Sequence, residues 1–247
     1  MERPAPINYD DIAHAYEKHR PESEEIARGL TAIAQLNAGA TVLDVGCGTG
    51  SAAVAFQKLT GATVWGVDKS GEMLRYARQK SSSLMYVRAD AHALPFGDGK
   101  FDFAYAVLVM HHLEDVPGML RELYRVLRRG RVALVTCSHE WIRRHPMNQF
   151  FPSFASIDLA RFPSIAAVQE WLQDAGFRQI ETRSVQTEPY PADSDYVNKV
   201  ADKWLSTLQL LPDDEFQEGL ERLRHLVSTG TLKIHWEGVL LTAAKNL

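Results

Sequence analysis

The stretch Val42–Gly50, with the sequence VLDVGCGTG, constrains the fold of this chain more than any other feature. An apolar run contains one acidic residue, Asp44, and three glycines then follow at every second position, 46, 48 and 50. A helical pattern begins at once at Ser51. This order predicts a buried parallel strand, a tight turn whose backbone a ligand can touch, and the N-terminus of a helix.

The spacing of the glycines distinguishes between classes of ligand. A dinucleotide fingerprint would place its third glycine one position later, where this chain has Ser51. The carboxylate of Asp44 disfavours a diphosphate and favours a ligand that carries a positive charge and no phosphate. S-adenosylmethionine, with its sulfonium and ammonium groups, is such a ligand. An NAD-dependent oxidoreductase is the disfavoured alternative.

Two later predicted strands also end in an acidic residue. The strand 63–68 ends in Asp68, and an acid about 20 residues after such a turn is typical of a ligand to ribose hydroxyls. The strand 84–90 ends in Asp90, which we expect to accept a hydrogen bond from an adenine amino group. Capping of the turn 91–94 is the structural alternative for Asp90. Ligands of open α/β sheets bind beyond the carboxyl ends of the strands, so we expect these acids along one rim.

Four ordered segments carry a specific resemblance to a known family. They are 42–50, 64–74 (VWGVDKSGEML), 88–115 and 122–136 (ELYRVLRRGRVALVT). With these segments the chain resembles class I S-adenosylmethionine-dependent methyltransferases of the type 11 group, which also resembles the ubiquinone and menaquinone-biosynthesis enzymes. The resemblance covers residues 8–138. It implies S-adenosylmethionine as the cofactor, S-adenosylhomocysteine as its product, and direct methyl transfer to a small-molecule acceptor.

The resemblance also implies which residues contact the cofactor. Met73 or Leu74 is expected to pack on the adenine face, with Met73 preferred, and Ala91 to donate a backbone amide; helix core is the alternative for the former pair. The other implied cofactor-binding residues are Tyr16, Arg20, Asp44, Gly46, Cys47, Gly48, Gly50, Asp68 and Asp90.

Three further assignments have structural alternatives. Tyr16 and Arg20 lie one helical turn apart and are expected to contact the cofactor carboxylate, unless they form a simple surface pair. Asp44 is expected to contact the amino-acid end of the cofactor, directly or through water. Its alternative role is to hold the glycine turn through backbone hydrogen bonds.

His111 and His112 are the candidate catalytic residues. They follow the fourth predicted strand, 101–110, where the family places the group nearest the transferred methyl. A histidine can take a proton near neutral pH, but a base is needed only if the acceptor must lose one. Because neighbours along a strand point to opposite sides, we expect at most one of the two to face the cleft. A structural histidine bonded to the 140s loop is the alternative.

The alternation of strands and helices predicts an α/β fold with a doubly wound, mostly parallel seven-stranded sheet, that is, a Rossmann-like methyltransferase fold. We expect one domain over 1–247, in which 1–36 forms N-terminal helices. The resemblance implies that the last two strands, 178–187 and 232–244, form an antiparallel hairpin. Two insertions, an irregular one at 140–163 and a mostly helical one at 190–228, are expected to form a substrate cap.

The first insertion is rich in aromatic residues and contains a short basic run, Arg143, Arg144 and His145. Packing of the cap onto the sheet is the expected role of most of these aromatic residues, and lining of an apolar acceptor pocket is the functional alternative. A solvated face is the expected environment of the basic run.

Composition limits the partners. The net charge is −4 and the pI about 6.1, so we expect no broad nucleic-acid footprint. The cysteines, Cys47 and Cys137, lie in or beside predicted core strands, which favours a reducing, cytoplasmic setting. The longest apolar run, 103–110, is too short to span a bilayer, and we expect no signal peptide and no metal site. The oligomeric state stays open, and a non-catalytic cofactor-binding regulatory or partner protein is the alternative to an enzyme.

Overall fold

The computed structural model describes residues 7–19, 24–230 and 232–245. Its central sheet contains seven strands in the spatial order β3-β2-β1-β4-β5-β9-β6. Strands β1 to β5 run parallel, and β9 is antiparallel to both of its neighbours. The mostly parallel seven-stranded sheet predicted from the sequence is therefore confirmed. The strands are β1 (Thr41–Val45), β2 (Thr63–Asp68), β3 (Met85–Arg88), β4 (Phe101–Val107), β5 (Leu127–Thr136), β6 (Arg178–Gln186) and β9 (Glu237–Lys245).

Ten α-helices connect and cover the strands of the described part of the chain. They are α1 (Tyr9–His19), α2 (Glu24–Ala34), α3 (Ser51–Thr60), α4 (Gly71–Lys80), α5 (Val116–Val126), α6 (His139–Arg144), α7 (Phe154–Arg161), α8 (Ile165–Asp174), α9 (Ser194–Ala201) and α10 (Asp213–Ser228). Ser164 caps α8 by accepting a hydrogen bond from the amide of Ala167, and Gly176, in a left-handed conformation, follows the helix.

Two predicted elements differ from the structure. The insertion 140–163 is not irregular: α6, a short 3₁₀ turn at Pro146–Gln149, and α7 occupy most of it. Its prolines lie at or outside the ends of these helices, where a missing N–H costs nothing. The last predicted strand, 232–244, is divided: β8 (Lys233–Ile234) pairs with β7 (Tyr190–Pro191) in a separate small sheet, and β9 begins only at Glu237.

The core lies on both faces of the sheet, as the alternation of side chains along β4 shows. Phe103 and Tyr105 pack on the α2–α3 side with Phe56, whereas Ala104 and Ala106 face the cluster under α5 and α8. This burial on both sides explains why β4 is almost entirely apolar.

The two insertions share a third apolar cluster outside the sheet. Phe151 and Phe154 from the first insertion pack with Tyr196, Phe216 and Leu220 from the second. The insertions therefore form one packed unit, which we call the cap (residues 139–163, 190–230 and 232–234). None of the helices in the described ranges is long and apolar enough to cross a membrane.

Candidate functional site

A cleft of about 640 Å³ lies at the carboxyl ends of β1, β2 and β4. Its floor includes Val45, the glycine turn and Val67, and helix α1 covers part of it. The volume is within the range of about 300–1,000 Å³ that is usual for small-molecule sites. The sheet topology places the cleft beside β1 and β4, where the order of the strands reverses, which is the common position for ligands of doubly wound folds.

The three glycines of the turn differ in what a side chain at each position would meet. All have positive φ angles, 69° at Gly46, 54° at Gly48 and 78° at Gly50. A Cβ atom on Gly46 would overlap the side chain of Val109, and one on Gly50 would lie 2.7 Å from the Tyr86 hydroxyl. At Gly48 the same atom would meet only Tyr16, 3.7 Å away, among the described residues. Gly46 and Gly48 line the cleft, so Gly48 is the glycine with open space beside it.

Cys47 and Gly50, also predicted to bind the cofactor, lie behind this surface. The amides of Gly46 and Cys47 both donate to the carbonyl oxygen of Val67, at 2.7 and 3.0 Å, which fixes the turn against β2. Cys47 is buried, and neither residue belongs to the lining of the cleft. Both therefore shape the turn instead of presenting a surface to a ligand.

Asp68 connects the end of β2 to the glycine turn. Its Oδ2 atom accepts a hydrogen bond of 2.8 Å from the amide of Gly48, and Oδ1 accepts one of 2.9 Å from the amide of Ser70. Burial raises the pKa of the Asp68 carboxyl above its usual range. An ionised carboxylate offers about four acceptor positions. Asp68 lines the cleft and so retains acceptor capacity toward a ligand there.

Asp44 is not where the sequence predicted it to act. It is only 1% exposed and does not belong to the lining of the cleft. Burial raises the pKa of its carboxyl well above the usual range. Asp44 is the last residue but one of β1, and side chains within a strand point to a face of the sheet, not beyond its end. The structure therefore does not support a direct contact of Asp44 with the amino-acid end of a cofactor.

The residues expected around an adenine lie together at the β2–β3 side of the cleft. Met73, Asp90 and Ala91 line it, whereas Leu74 belongs to the core. Asp90 also has the alternative role of capping the turn that follows it. Its Oδ1 accepts a hydrogen bond from the amide of His92 at 2.9 Å and pairs with Nδ1 of the His92 ring at 2.6 Å. These two contacts hold the pKa of Asp90 below its usual range.

Helix α1 covers the cleft, and hydrogen bonds to Asp10 hold its N-terminal end in place. The Ser70 hydroxyl and the Glu72 amide both donate to Oδ1 of Asp10, at 2.5 and 3.1 Å. Tyr16 lines the cleft opposite Gly48. Arg20, its expected partner, lies outside the described residues.

His111 and His112 both line the cleft, which corrects the expectation that only one of them would. The reason is local: β4 ends at Val107, and the histidines belong to a 3₁₀ turn, Met110–His112, in which successive side chains do not alternate. The two ring centroids are 3.7 Å apart. His111 also stacks on Phe162, at 3.9 Å with an interplanar angle of 10°, so its role is tied to the cap.

His112 is held by contacts from both sides. Nε2 lies 2.7 Å from the Tyr9 hydroxyl, and Nη2 of Arg161 lies 3.4 Å from Nδ1. A guanidinium can only donate, so this contact makes Nδ1 an acceptor and places the proton of the neutral ring on Nε2, facing Tyr9. Leu108, just before this turn, has a φ of 54°, a strained conformation for a branched residue at the mouth of the cleft.

A smaller cavity of about 80 Å³ adjoins the cleft behind the histidines. We call it the inner cavity. The two spaces share Tyr9, Tyr16, Leu108, His111 and His112. Its other walls come from the cap and from residues just after β5 and just before β9, with mostly aromatic and apolar side chains: Trp141, Ile142, Phe154, Phe162 and Trp236. Several aromatic residues of the first insertion thus line a pocket, and others, such as Phe151, pack the cap.

A buried polar cluster joins the two insertions beside this cavity. Nη1 of Arg161 lies 3.4 Å from Oδ1 of Asp158, and the Thr207 hydroxyl donates to the same oxygen at 2.7 Å. Nη2 of Arg161 donates to the Ser206 hydroxyl at 2.9 Å. Burial raises the pKa of Asp158 to about 6, although Thr207 and Arg161 oppose the shift.

The residues of the basic run 143–145 lie in different environments in the fold. Arg144 pairs with Glu237 at 2.9 Å and lies at the surface with Arg143, as expected for a solvated face. His145 lines the inner cavity, and burial lowers its pKa to about 4, with the nearby His235 adding to the shift. His145 thus differs from the expected surface position.

Sequence reasoning missed Tyr9, Asp10 and Arg161. The spacing of Tyr9 and Tyr16, seven residues apart, indicates one helix face and could have pointed to Tyr9. Asp158 and Arg161 are also three residues apart, but that signal was hidden because the segment was expected to be irregular. Among the described residues, no group of three or more histidine, cysteine or acidic side chains could hold a metal ion.

Comparison with known proteins agrees with this geometry. Residues 43–135, from β1 to β5, match the family model described as a methyltransferase domain. Methyltransferase GfsG of Streptomyces halstedii is 37% identical over 133 residues, which cover 51% of this chain and 45% of that protein. The malonyl-[acyl-carrier protein] O-methyltransferase of Pseudescherichia vulneris is 36% identical over 124 residues, with coverages of 50% and 49%.

Solved structures extend the similarity of fold beyond this segment. A crystal structure of a methyltransferase assigned to an antibiotic biosynthesis pathway of Anabaena variabilis superposes with a TM-score of 0.73 and 21% identity, covering 88% of this chain and 96% of that one. The chain spans about half the length of most of the curated relatives that it matches. The family model matches the strands β1 to β5, at whose carboxyl ends the cleft lies.

Proposed function

This chain carries a class I S-adenosylmethionine-dependent methyltransferase domain of the type 11 group, whose cofactor is S-adenosylmethionine, and we propose that it transfers the methyl group of that cofactor to a small-molecule acceptor. One observation carries the proposal. Asp68 at the end of β2 accepts a hydrogen bond from the amide of Gly48, so that the acid and the open glycine form one wall of the cleft. This wall suits a ribose and the adjacent atoms of a nucleoside.

The remaining residues of the cleft fit the other parts of the cofactor. In our proposal, Asp68 accepts hydrogen bonds from the ribose hydroxyls, Met73 packs on the adenine, and Asp90 and Ala91 bind its edge. Lys69 lies 3.5 Å from Asp90, at the exposed edge of this part of the cleft.

The methionine end of the cofactor is assigned to the space between the glycine turn and α1. Gly46 and Gly48 provide backbone there, and Tyr16 lies opposite Gly48. In this proposal, the buried Asp44 shapes the end of β1 beneath the cleft and makes no contact with the ligand. Arg20 keeps its proposed role toward the carboxylate, on the resemblance alone.

The acceptor is proposed to enter the inner cavity, with the cap as its cover. When bound, the cofactor supplies an electrophilic methyl group on its sulfonium. The chain contributes mainly by aligning the acceptor atom with that methyl group and by excluding water, effects that together can supply much of the rate. The position of the cavity behind the histidines supports this assignment.

The two histidines have different proposed roles. His112 is a positioning residue, because Arg161 and Tyr9 contact its two ring nitrogens. His111, which lies between His112 and Phe162 and stacks on Phe162, is the proposed orienting group and, for acceptors that must lose a proton, the proposed base. Both assignments apply only to an acceptor bound in the inner cavity.

Calorimetry with purified protein tests the proposal. We expect binding of S-adenosylmethionine and S-adenosylhomocysteine with micromolar dissociation constants, and no binding of NAD at the same concentrations. Release of S-adenosylhomocysteine should then be measured with a panel of small molecules. Binding of NAD in preference to S-adenosylmethionine, or the absence of binding by either methionine derivative, would refute the proposed function.

A further inference from the structure

A further cavity, of about 820 Å³, lies at the opposite end of the sheet from the cleft. We call it the basal cavity. It is lined by the segment 34–40 between α2 and β1, by residues near the beginning of β4, β5 and β6, and by the end of β9. Among the described residues, it shares none with the cleft or with the inner cavity. Its volume is within the range that is usual for small-molecule sites.

A bulge at the beginning of β5 brings three arginines to this cavity. Between two ladder pairs of β4 and β5, the single residue Asp102 lies opposite the three residues 128–130. A Cβ atom on Gly130 would overlap the carbonyl oxygen of Asp102, so glycine allows the two strands to approach there. Bulges commonly redirect side chains beside functional sites. The arginines that line the cavity are Arg128, Arg129 and Arg131.

The charges around the basal cavity are predominantly positive. Among the described residues, its lining contains four cationic ones, the three arginines and Lys245, and one acidic one, Asp102. Both oxygens of Asp102 are already engaged: Oδ1 accepts from Nη1 of Arg128 and Oδ2 from the amide of Thr41, each at 2.9 Å. Because the whole chain has a net charge of −4, this excess of positive charge is local.

Three of the four cations have no acidic partner among the described residues. Arg129, which is exposed, and Arg131, which is half-buried, make no hydrogen bond or ion pair with any of them. Lys245 donates to the carbonyl oxygens of Tyr124 and Leu127, at 2.8 and 2.7 Å, and these neutral groups do not compensate its charge. A half-buried cation has lost part of its hydration, so an anion bound beside it stabilises it.

We propose that the basal cavity binds a small molecule that carries a phosphate or diphosphate group. A guanidinium is planar and matches phosphate oxygens with two parallel N–H groups, and such charge-assisted hydrogen bonds are stronger than neutral ones. Arg129 and Arg131 are the proposed ligands of the phosphate, and Arg128 and Lys245 add positive charge. The C-terminal end of α2 adjoins the cavity and disfavours an anion, but this effect is screened by salt and is confined to the last helical turn.

The size and the surroundings of the cavity favour a small ligand over an anionic polymer. The positive charge is confined to one cavity of a chain that is negative overall, whereas a nucleic acid needs a basic surface that follows its backbone. The basal cavity is also separate from the residues to which methyl transfer is assigned. It is therefore a second site, and its ligand is neither the cofactor nor the acceptor.

Calorimetry with inorganic pyrophosphate tests the proposal, and acetate is the comparison with a single charge. We expect pyrophosphate to bind with a dissociation constant below about 1 mM, and acetate to bind at least about tenfold more weakly, because only pyrophosphate engages several cations at once. Raising NaCl from about 50 to 200 mM should weaken the binding. No binding of pyrophosphate, or equal binding of acetate, overturns the proposal.

Variants locate the bound anion. Arg129→Gln and Arg131→Gln should each weaken binding of pyrophosphate about tenfold, because each loses a charge-assisted contact. Arg224→Gln, at an exposed arginine of α10, removes the same charge elsewhere and should leave binding unchanged. Arg88→Gln tests the cleft, whose lining includes that arginine. If Arg88→Gln weakens binding and the two basal variants do not, the anion binds in the cleft and the proposal is wrong.

No step of this experiment uses S-adenosylmethionine or an acceptor, so its failure and the failure of the proposed function are distinguishable. Circular dichroism checks the fold of each variant. Arg129 is exposed, so Arg129→Gln keeps the test available if Arg131→Gln does not fold. Binding of S-adenosylhomocysteine, measured in parallel, should be the same in Arg129→Gln as in wild type. Loss of pyrophosphate binding together with loss of the fold in Arg129→Gln would show that this arginine is structural and would overturn the proposal.

Discussion

Nη2 of Arg161, in the cap, lies 3.4 Å from Nδ1 of His112, at the carboxyl end of the sheet. On the other side of the same ring, Nε2 lies 2.7 Å from the hydroxyl of Tyr9 in the N-terminal helix. Three separate parts of the chain therefore meet at one imidazole. A change in any of them can be transmitted to the point where the cleft joins the inner cavity.

The first prediction concerns the buried pair behind this contact. Arg161→Met should lower the free energy of unfolding by about 3 kcal/mol, because it leaves Asp158 buried without its cation. The double variant Asp158→Leu, Arg161→Met should recover at least half of that loss, since both charges are then absent. Urea unfolding measures both values. Arg121→Met, which removes a surface partner of Asp115, is the control and should change little. A single variant as stable as wild type would show that the pair is not effectively buried.

The second prediction concerns Asp68 and the ribose. Asp68→Ala should weaken binding of S-adenosylmethionine by about 2–3 kcal/mol, because a charge-assisted contact with both hydroxyls is lost. The anchor of the Gly48 amide is lost with it. Asp98→Ala, which removes an exposed acid that pairs with Arg125, is the matched control. Affinity within twofold of wild type, measured by calorimetry, would remove Asp68 from the cofactor site.

The third prediction concerns Gly48. Gly48→Val should abolish cofactor binding and leave a folded protein, because the side chain would extend toward Tyr16 and the cleft without overlapping the core. The positive φ angle adds a strain of about 1–3 kcal/mol. Gly97→Val is the control, since an added Cβ there meets nothing within 4 Å. Circular dichroism checks the fold and calorimetry the binding; normal binding by the Gly48 variant would show that the turn does not approach the ligand.

The fourth prediction separates the two histidines. With an acceptor that must lose a proton, His111→Gln should reduce kcat about 10²–10⁴-fold, the usual contribution of a base. His112→Gln should have a smaller effect, because its proposed role is to position its neighbour. Cofactor affinity should stay within about twofold in both. Turnover within threefold of wild type in both variants would indicate that the histidines are structural and that alignment alone accounts for the rate.

The fifth prediction follows from the lowered pKa of His145. Its pKa is about 4 in the folded protein, against 6.5 for an exposed ring. The unfolded chain therefore binds a proton as the pH falls below 6.5, whereas the folded chain does so only near pH 4. Stability from this residue is present above pH 6.5 and is lost as the pH falls toward 4. Between pH 7 and 5 the loss should be about 2 kcal/mol.

Urea unfolding of wild type and His145→Gln at the two pH values measures this contribution. The variant should lose about 2 kcal/mol less than wild type on going from pH 7 to 5. His225→Gln, at an exposed histidine of α10, is the matched control. If the His145 variant loses as much stability as wild type, the ring is not held neutral by burial.

The amino-acid sequence by itself determined the centre of the fold and one side of the cleft. The strand, turn and helix at 41–60, the acids at positions 68 and 90, and Met73 beside the same rim follow from short-range patterns: alternation, glycine spacing and the rule that parallel strands end at one edge. Each pattern spans a few residues and needs no knowledge of distant contacts. Asp44 shows the limit of such patterns. It lies one residue before the end of β1, and a difference of one position along a strand decides whether a side chain faces the core or the ligand.

Only the tertiary structure decided the other side of the site. The helices of the first insertion, the inner cavity, the half-buried His145 and the contacts of His112 depend on pairs far apart in sequence, 103 residues for Tyr9 with His112 and 49 for His112 with Arg161. Local patterns do not encode such pairs, because each polar side chain alone is equally compatible with a solvated position. Burial by the packed cap excludes water from these groups and so makes them partners of one another.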